Sequence, residues 1–338
     1  MPYDRQYNWH IEIKISIIYN GRVGEDMRYI LRKLITLLVT LFLISLLAFL
    51  AFAIIPGDPA VTLLGVNATP EAILALRQEM GLDRPVFVRY VEWLGDMIFG
   101  DMGRSFAHGH SVRELLGDRL IVTGSLMGLS FVMMLGIALP VGLLTAGRQR
   151  GIVHWMVTII NQMMMAVPPL FLGLMLTFVF GAVFRVFTPS AFVSFRESVG
   201  GYLFYMLFPA LAIALPKSAM MVRLIRSSVR EEMGKDYVRT AVSRGCAPRG
   251  VLYRHVLPNI AAPVITFSAL TLIMMITDSI VVEQVFSIPG AGRILISAIG
   301  TRDYPVVQAL VLVIAALVMT LHALADVLCR LVDRRITL

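Results

Sequence analysis

The chain has 338 residues, 57% hydrophobic and 15% charged, with a formal net charge of +8. The apolar share is too high, and the charged share too low, for a water-soluble enzyme or binding module. Two cysteines, Cys246 and Cys329, are too few for a disulfide framework and show no zinc spacing.

Residues 1–26 are polar and irregular and precede a second methionine, Met27. They are expected to be a cytoplasmic tail or a mis-assigned start. Leu34–Ile55 carries no charge over 22 residues. It is long enough to cross a bilayer as a helix and too long for a signal-peptide core of about 7–15 residues. Ala51-Phe52-Ala53 is therefore read as part of a retained first helix and not as a cleavage site. Pro56-Gly57 and Asp58-Pro59 then turn the chain out of the membrane.

Residues 56–119 form the one sizeable external segment. Thr69 is the expected N-cap of a helix with Pro70 at its first position, running through "EAILALRQEM" to a stop at Gly81. "VFVRYVEWLGDMIFG" follows with apolar residues at helical spacing. The segment reads as a small helical cap without a core of its own.

Uncharged runs recur at Leu120–Ala146, Trp155–Phe184, Val256–Thr277 and Tyr304–Leu321, and Tyr202–Val222 is interrupted only by Lys217. With the first helix this gives six spans and an all-α integral membrane protein. Gly124 and Gly128 make a GxxxG pair, which permits close helix packing or is a chance of composition. Pro168-Pro169, in "NQMMMAVPPLF", breaks the third span. Such breaks are tolerated where the freed backbone meets protein or a water-filled cavity, so the pair marks a kink near a path or a plain packing irregularity. No internal repeat is visible, which counts against the common secondary-transporter folds.

Orientation follows from charge. With the N-terminus inside, segments 1–33, 147–154, 217–254 and 322–338 hold 20 of the 30 Lys+Arg, and the outside segments hold 10. This is the positive-inside bias, with both termini cytoplasmic. It explains the basic balance without nucleic acid.

No GxxxxGK[ST], HExxH or GxSxG is present, so nucleotide, zinc-protease and acyl-transfer signatures are absent. A membrane enzyme would need a nucleophile or metal cluster that the sequence does not offer. His108 and His110 form a close pair with no carboxylate cluster beside them, and no metal site is expected. Ionisable residues within spans cost about 2.5–3.5 kcal/mol each on insertion scales and usually face inward. Asp278 and Glu283 are therefore candidate path-lining residues, together with Pro168 and Pro169. His322 and Asp326, four apart, read as a structural pair or as interfacial.

The stretch "KDYVRTAVSRGCAPRGVLYRHVLPN", residues 235–259, is basic and glycine-broken between two apolar spans. A helix is expected across "SSVREEMGKDYVRTAVSR", stopped by Gly245 and Pro248. A second short helix, "RGVLYRHVL", is expected to end against Pro258 at a sharp angle to the first. Such helices could lie on anionic lipid or meet a partner.

The same stretch resembles the EAA motif of ABC-transporter permeases: a three-residue box, three residues, Gly, nine residues, then I-x-L-P. Here the box is Arg239-Thr240-Ala241, the glycine is Gly245, and Leu257-Pro258 close the motif, with His255 in place of the aliphatic residue. "MRYILRKL…IPGDPA", "GLDRPVFVRYVEWLGDMIFGDMGRSF", "DYVRTA", "VVEQVFSIPGAGRILISAI" and "RDYPVVQALVLV" resemble, in order, the DppB/OppB-type permeases of dipeptide and oligopeptide importers. The similarity covers residues 27–336, a permease domain preceded by the tail. Departures are Ile288 where Trp is usual, Arg334 where Pro is usual, and Asp278 where small residues are usual.

The resemblance implies a bacterial inner-membrane importer subunit. Residues 226–258 would form a cytoplasmic loop contacting an ATPase through Asp236, Tyr237, Arg239, Thr240, Ala241, Gly245, Leu257 and Pro258. Partners would be a second, DppC/OppC-like permease, two ATP-binding subunits and a periplasmic substrate-binding protein. This chain would carry no cofactor, ATP being bound by the partners. Substrates of the family include peptides, glutathione, nickel chelates and other small solutes. The alternative is a stand-alone carrier driven by an ion gradient, with Asp278 as its ion site.

Overall fold

A chain crossing hydrocarbon must satisfy every backbone N–H and C=O internally, which leaves helices and closed barrels. The computed structural model takes the helical route and describes residues 31–52, 54, 58–65, 68–147, 150–189 and 191–332. The expected tail 1–26, Pro56-Gly57 and Arg334 lie outside the described residues. Among these there is no strand, only an isolated bridge between Arg104 and Ser111. The chain divides into two units, Met1–Ile54 and Ile55–Leu338. The first unit contributes one helix, α1 (Leu31–Phe52), apolar and long enough to span.

The second unit begins with three short helices, α2 (Pro59–Leu64), α3 (Pro70–Glu79) and α4 (Val86–Ile98). Asp58 caps α2 by accepting from the Ala60 N–H at 2.9 Å. Thr69 caps α3 as its sequence position predicts, accepting from the Ala72 N–H. Gly81, at φ +63°, ends α3 by the glycine-dependent stop in which the Leu82 N–H reaches back to the Arg77 carbonyl. The aspartate of the following loop system is less obvious from sequence. Asp303 is buried and accepts from the Ser105 hydroxyl and from the Phe106 (2.9 Å) and Ala107 (3.3 Å) N–H groups. His108, half-exposed, stands 3.9 Å from the same carboxylate.

The apolar helices follow: α5 (Val112–Ala146), α6 (Ile152–Ala166), α7 (Pro169–Leu176, continued by a π-helical turn to Val183) and α8 (Val199–Met233). Then come α9 (Asp236–Ser243), α10 (Pro248–Val251), α11 (Leu257–Val285), α12 (Ala291–Gly300) and α13 (Tyr304–Val332). Five helices among the described residues are long and apolar enough to cross a membrane: α1, α5, α8, α11 with its preceding turn, and α13.

The run Trp155–Phe184, expected as one crossing, is the α6/α7 pair, bent by 102°. The cause is local. Val167 and Pro168 are extended, with ψ of 119° and 145°, because a residue before proline is pushed out of the helical region. Two successive prolines also remove two donors from the ladder. This is a break, larger than a kink.

α8 forms the centre of the bundle. Its middle is built from small residues, with Ala210, Ala212, Ala214, Ser218 and Ala219 all buried, and small residues let helices approach closely in a membrane. α5 comes close to it at Gly142, where a Cβ would meet Ile225 at 3.0 Å. The GxxxG pair does not serve this purpose, since nothing lies within 4 Å of a Cβ at Gly124 or Gly128. Phe187 stacks on Phe208 at 4.4 Å, and α6 is tied to α8 by Arg226, which donates to His154 Nδ1 (2.8 Å) and Thr158 Oγ1 (3.2 Å).

Two expectations for the basic stretch change. The helix expected over 227–244 is divided: α8 runs to Met233, Gly234 and Lys235 break it, and α9 begins at Asp236. Lys235, at ψ 152°, is the extended residue that turns the chain. The second short helix does not stop at Pro258. It continues through a π-helical turn, Leu252–Val256, in which the Leu257 N–H reaches the Leu252 carbonyl, into α11. A proline in the first turn of α11 needs no donor, and the wider turn before it absorbs the mismatch.

Candidate functional site

The eight residues of α9 carry most of the motif. Its inner face, Val238 and Ala241, is buried in the bundle core. Its outer face offers Asp236, Arg239, Thr240, Val242, Ser243 and Arg244, all exposed. The Asp236 and Arg239 side chains are 96% and 77% exposed and 3.6 Å apart, a pair worth little in stability and free to meet a partner. The box residues thus divide: Ala241 packs inward, and Arg239 and Thr240 face out.

Gly245 ends the helix at φ +84°. The Cys246 N–H donates to the Ala241 carbonyl (3.1 Å) and the Gly245 N–H to the Val242 carbonyl (2.9 Å). These are the two bonds of the Schellman stop, which puts a left-handed residue just past the helix. The chain direction after α9 therefore depends on glycine at this position.

Tyr237 anchors the helix from below. Its hydroxyl donates to Glu232 Oε2 (2.6 Å) and accepts from Asn259 Nδ2 (3.1 Å). Lys235 also donates to Glu232. One side chain of α9 thereby joins the end of α8 to the start of α11. Burial, then the bond to Glu232, push the Tyr237 phenol above its ordinary pKa, which keeps it a donor. Leu257 is partly buried against the core and Pro258 sits in the first turn of α11.

The path-lining candidates fall in different settings. Glu283 is fully buried and accepts three hydrogen bonds: from Thr123 Oγ1 (2.5 Å) and from the Gly292 (2.8 Å) and Arg293 (3.1 Å) N–H groups. Thr123 Oγ1 in turn accepts from the Ala291 N–H (2.8 Å). The carboxylate sits on the N-terminus of α12, where exposed N–H groups favour an anion. Glu283 is thus enclosed and anchors α12 to α11 and α5. Gly290 and Gly292 leave room for it; a Cβ on Gly292 would overlap the Cα of Ile280. Ile288, at the usual Trp position, is fully buried.

Asp278 is not alone. Lys217 Nζ lies 2.9 Å from its Oδ2, the side chains being 12% and 18% exposed. The contact is close but off hydrogen-bond alignment, and Oδ2 has no hydrogen-bond partner, so the distance makes it an ion pair held by charge. Pro168 is exposed and Pro169 partly so, at the break between α6 and α7. His322 is exposed on α13 and Asp326 half-buried. An apolar cleft of about 310 Å³ lies between α5, α11, α12 and α13, lined by residues including Thr123, Gly124, Ile280 and Leu317. Among the described residues no group of three or more His, Cys, Asp or Glu could hold a metal ion.

Long apolar helices, with one short, exposed, glycine-capped helix outside them, define a multi-pass membrane protein. The chain belongs to the family of binding-protein-dependent transport system inner membrane components, whose model matches residues 138–338, with the corresponding N-terminal component at 26–127. It is 31% identical over 308 residues to a probable peptide ABC transporter permease of Sinorhizobium fredii, covering 91% of this chain and 98% of that one. It is 32% identical over 311 residues to the oligopeptide transport system permease protein AppB of Bacillus subtilis, with 91% and 98% covered. Among solved structures, the inward-facing MetNI methionine ABC transporter shares the fold, with TM-score 0.53 and 17% identity over 65% of this chain and 97% of that one. The protein is a multi-pass inner-membrane permease subunit of a binding-protein-dependent ABC importer.

Proposed function

We propose that this subunit forms half of a translocation path for peptides or similar small solutes, and that α9 is its contact with an ATPase. The observation that carries the reading is α9 itself: an exposed helix of mixed charge, stopped by a left-handed glycine and bonded through Tyr237 to two spans. Such a helix can pass a rigid-body movement into the bundle. Asp236, Arg239 and Thr240 would touch the ATPase, and Ala241, Gly245, Leu257 and Pro258 would fix the helix in place. The peptide relatives support the substrate class.

The chain would cross the membrane six times, the α6/α7 pair counting as one broken span, with both termini in the cytoplasm. A second, DppC/OppC-like permease would complete the path, and Asp278, Pro168 and Pro169 would lie on or beside it. Two ATP-binding subunits would bind ATP, and a periplasmic binding protein would deliver solute. The test is reconstitution of the whole complex in vesicles and uptake of a panel of short peptides. ATP-dependent uptake of at least one peptide, requiring every subunit, is expected. Uptake by this chain alone under an ion gradient would overturn the reading in favour of a carrier.

A further inference from the structure

The spans α8 and α11 are joined through α9 and α10 and run antiparallel, and three polar ties cross between them. At the end far from α9, the Tyr205 hydroxyl donates to the Phe286 carbonyl. Midway, Lys217 pairs with Asp278. Beside α9, Glu232 is joined to Asn259 through the Tyr237 hydroxyl. The first and last ties are 27 positions apart on both helices, Tyr205 to Glu232 and Asn259 to Phe286, about 40 Å at 1.5 Å per residue. The ties therefore hold one register over the length of the pair.

The two end ties lie toward the ends of the pair, Tyr205 in the second turn of α8 and Glu232 in its last. The middle one is different, because it places two charges within apolar spans where either alone is costly. Each charge neutralises the other, and little of either side chain is exposed to offer to a solute. The contact is off hydrogen-bond alignment, so charge attraction is what resists separation of the two side chains.

We propose that Lys217 and Asp278 are positioning residues that lock α8 to α11, so that the two spans carry the displacement of α9 as one lever. This rests on the importer reading above. The lever turns a movement at the ATPase contact into one at the far end of the spans without loss by sliding between them.

The test uses the full complex in lipid nanodiscs with spin labels at Phe204 and Val281, both exposed, near the end of the pair far from α9. Pulsed electron resonance gives the label separation without nucleotide and with ADP trapped by vanadate. In the otherwise unaltered chain the separation should agree between states to within about 2 Å, the scale of ordinary helix shear. Lys217→Met with Asp278→Leu removes the tie and leaves no orphan charge, and its separation should differ between states by more than about 2 Å. Charge reversal, Lys217→Asp with Asp278→Lys, should restore the fixed separation. A nucleotide-dependent change in the unaltered pair, an apolar variant as rigid as the original, or a reversed pair that fails to restore rigidity would overturn the lever. A complex that holds no ATPase subunit, or traps no nucleotide, would instead overturn the importer reading on which it rests.

Discussion

Replacing Gly245 separates backbone conformation from side-chain contact. A Cβ there would meet nothing within 4 Å, while the residue holds φ at +84°. The penalty is therefore conformational: about 1–2 kcal/mol for an ordinary L-residue, and more for β-branched valine, which is a genuine outlier at positive φ. A penalty of that size changes a population ratio about 5–30-fold. Gly245→Val should release the bonds to Ala241 and Val242, redirect residues 246–250 and misalign the outer face of α9. Val238 and Ala241 keep the helix on the core, so thermal unfolding of the spans should be nearly unchanged. The assay is binding of purified ATPase subunit to the permease in detergent or nanodiscs. Gly245→Val should weaken it about tenfold, within that range, and Gly245→Asn, which tolerates the left-handed region, should stay close to the original. Equal binding by all three would show that the left-handed turn at Gly245 does not set the position of α9.

The other expectations concern the buried charges and the topology. Glu283→Ala orphans the Thr123 hydroxyl and two α12 N–H groups, and at about 1–3 kcal/mol for each unsatisfied group it should lower the melting temperature strongly, Glu283→Gln much less. Asp278→Asn leaves Lys217 as an uncompensated buried cation and should destabilise by about 3–5 kcal/mol; a melting curve like that of the unaltered protein would show the pair to be idle. Gly292→Ala should fail to assemble, because its Cβ meets backbone at Ile280, and normal assembly would contradict the packing described. Cysteines placed at Ala107 and Ser227, both exposed, should be labelled by an impermeant thiol reagent from outside and inside respectively, and the reverse pattern would invert the proposed orientation.

Local features were legible in the sequence and distant ones were not. Runs of uncharged residues announced the five long apolar helices but not the break between α6 and α7, because hydrocarbon demands length and apolarity and nothing subtler. Thr69 and Gly245 announced helix ends, because caps and stops are set by a few neighbouring backbone groups. The break at Gly234-Lys235 was hidden in a composition that favours helix throughout, and Pro258 suggested an end that a π-helical turn avoids. Lys217 and Asp278 stand on different spans, so neither position reveals the other. Glu283 and Asp303 likewise bind groups that lie far off in sequence, at Thr123 and at Ser105–Ala107. An inward-facing Glu283 was legible from its place in an apolar span; what it anchors required the fold.

If α9 meets an ATPase and not the lipid surface, its outer face is covered by protein in the assembled complex. A photo-crosslinking residue at Val242, which is 53% exposed on the outer face of α9, tests it directly in the assembled complex in membranes. A dominant adduct with the ATP-binding subunit is expected, lost in Gly245→Val. An adduct formed with lipid alone, in a complex that still hydrolyses ATP and imports its solute, would contradict it.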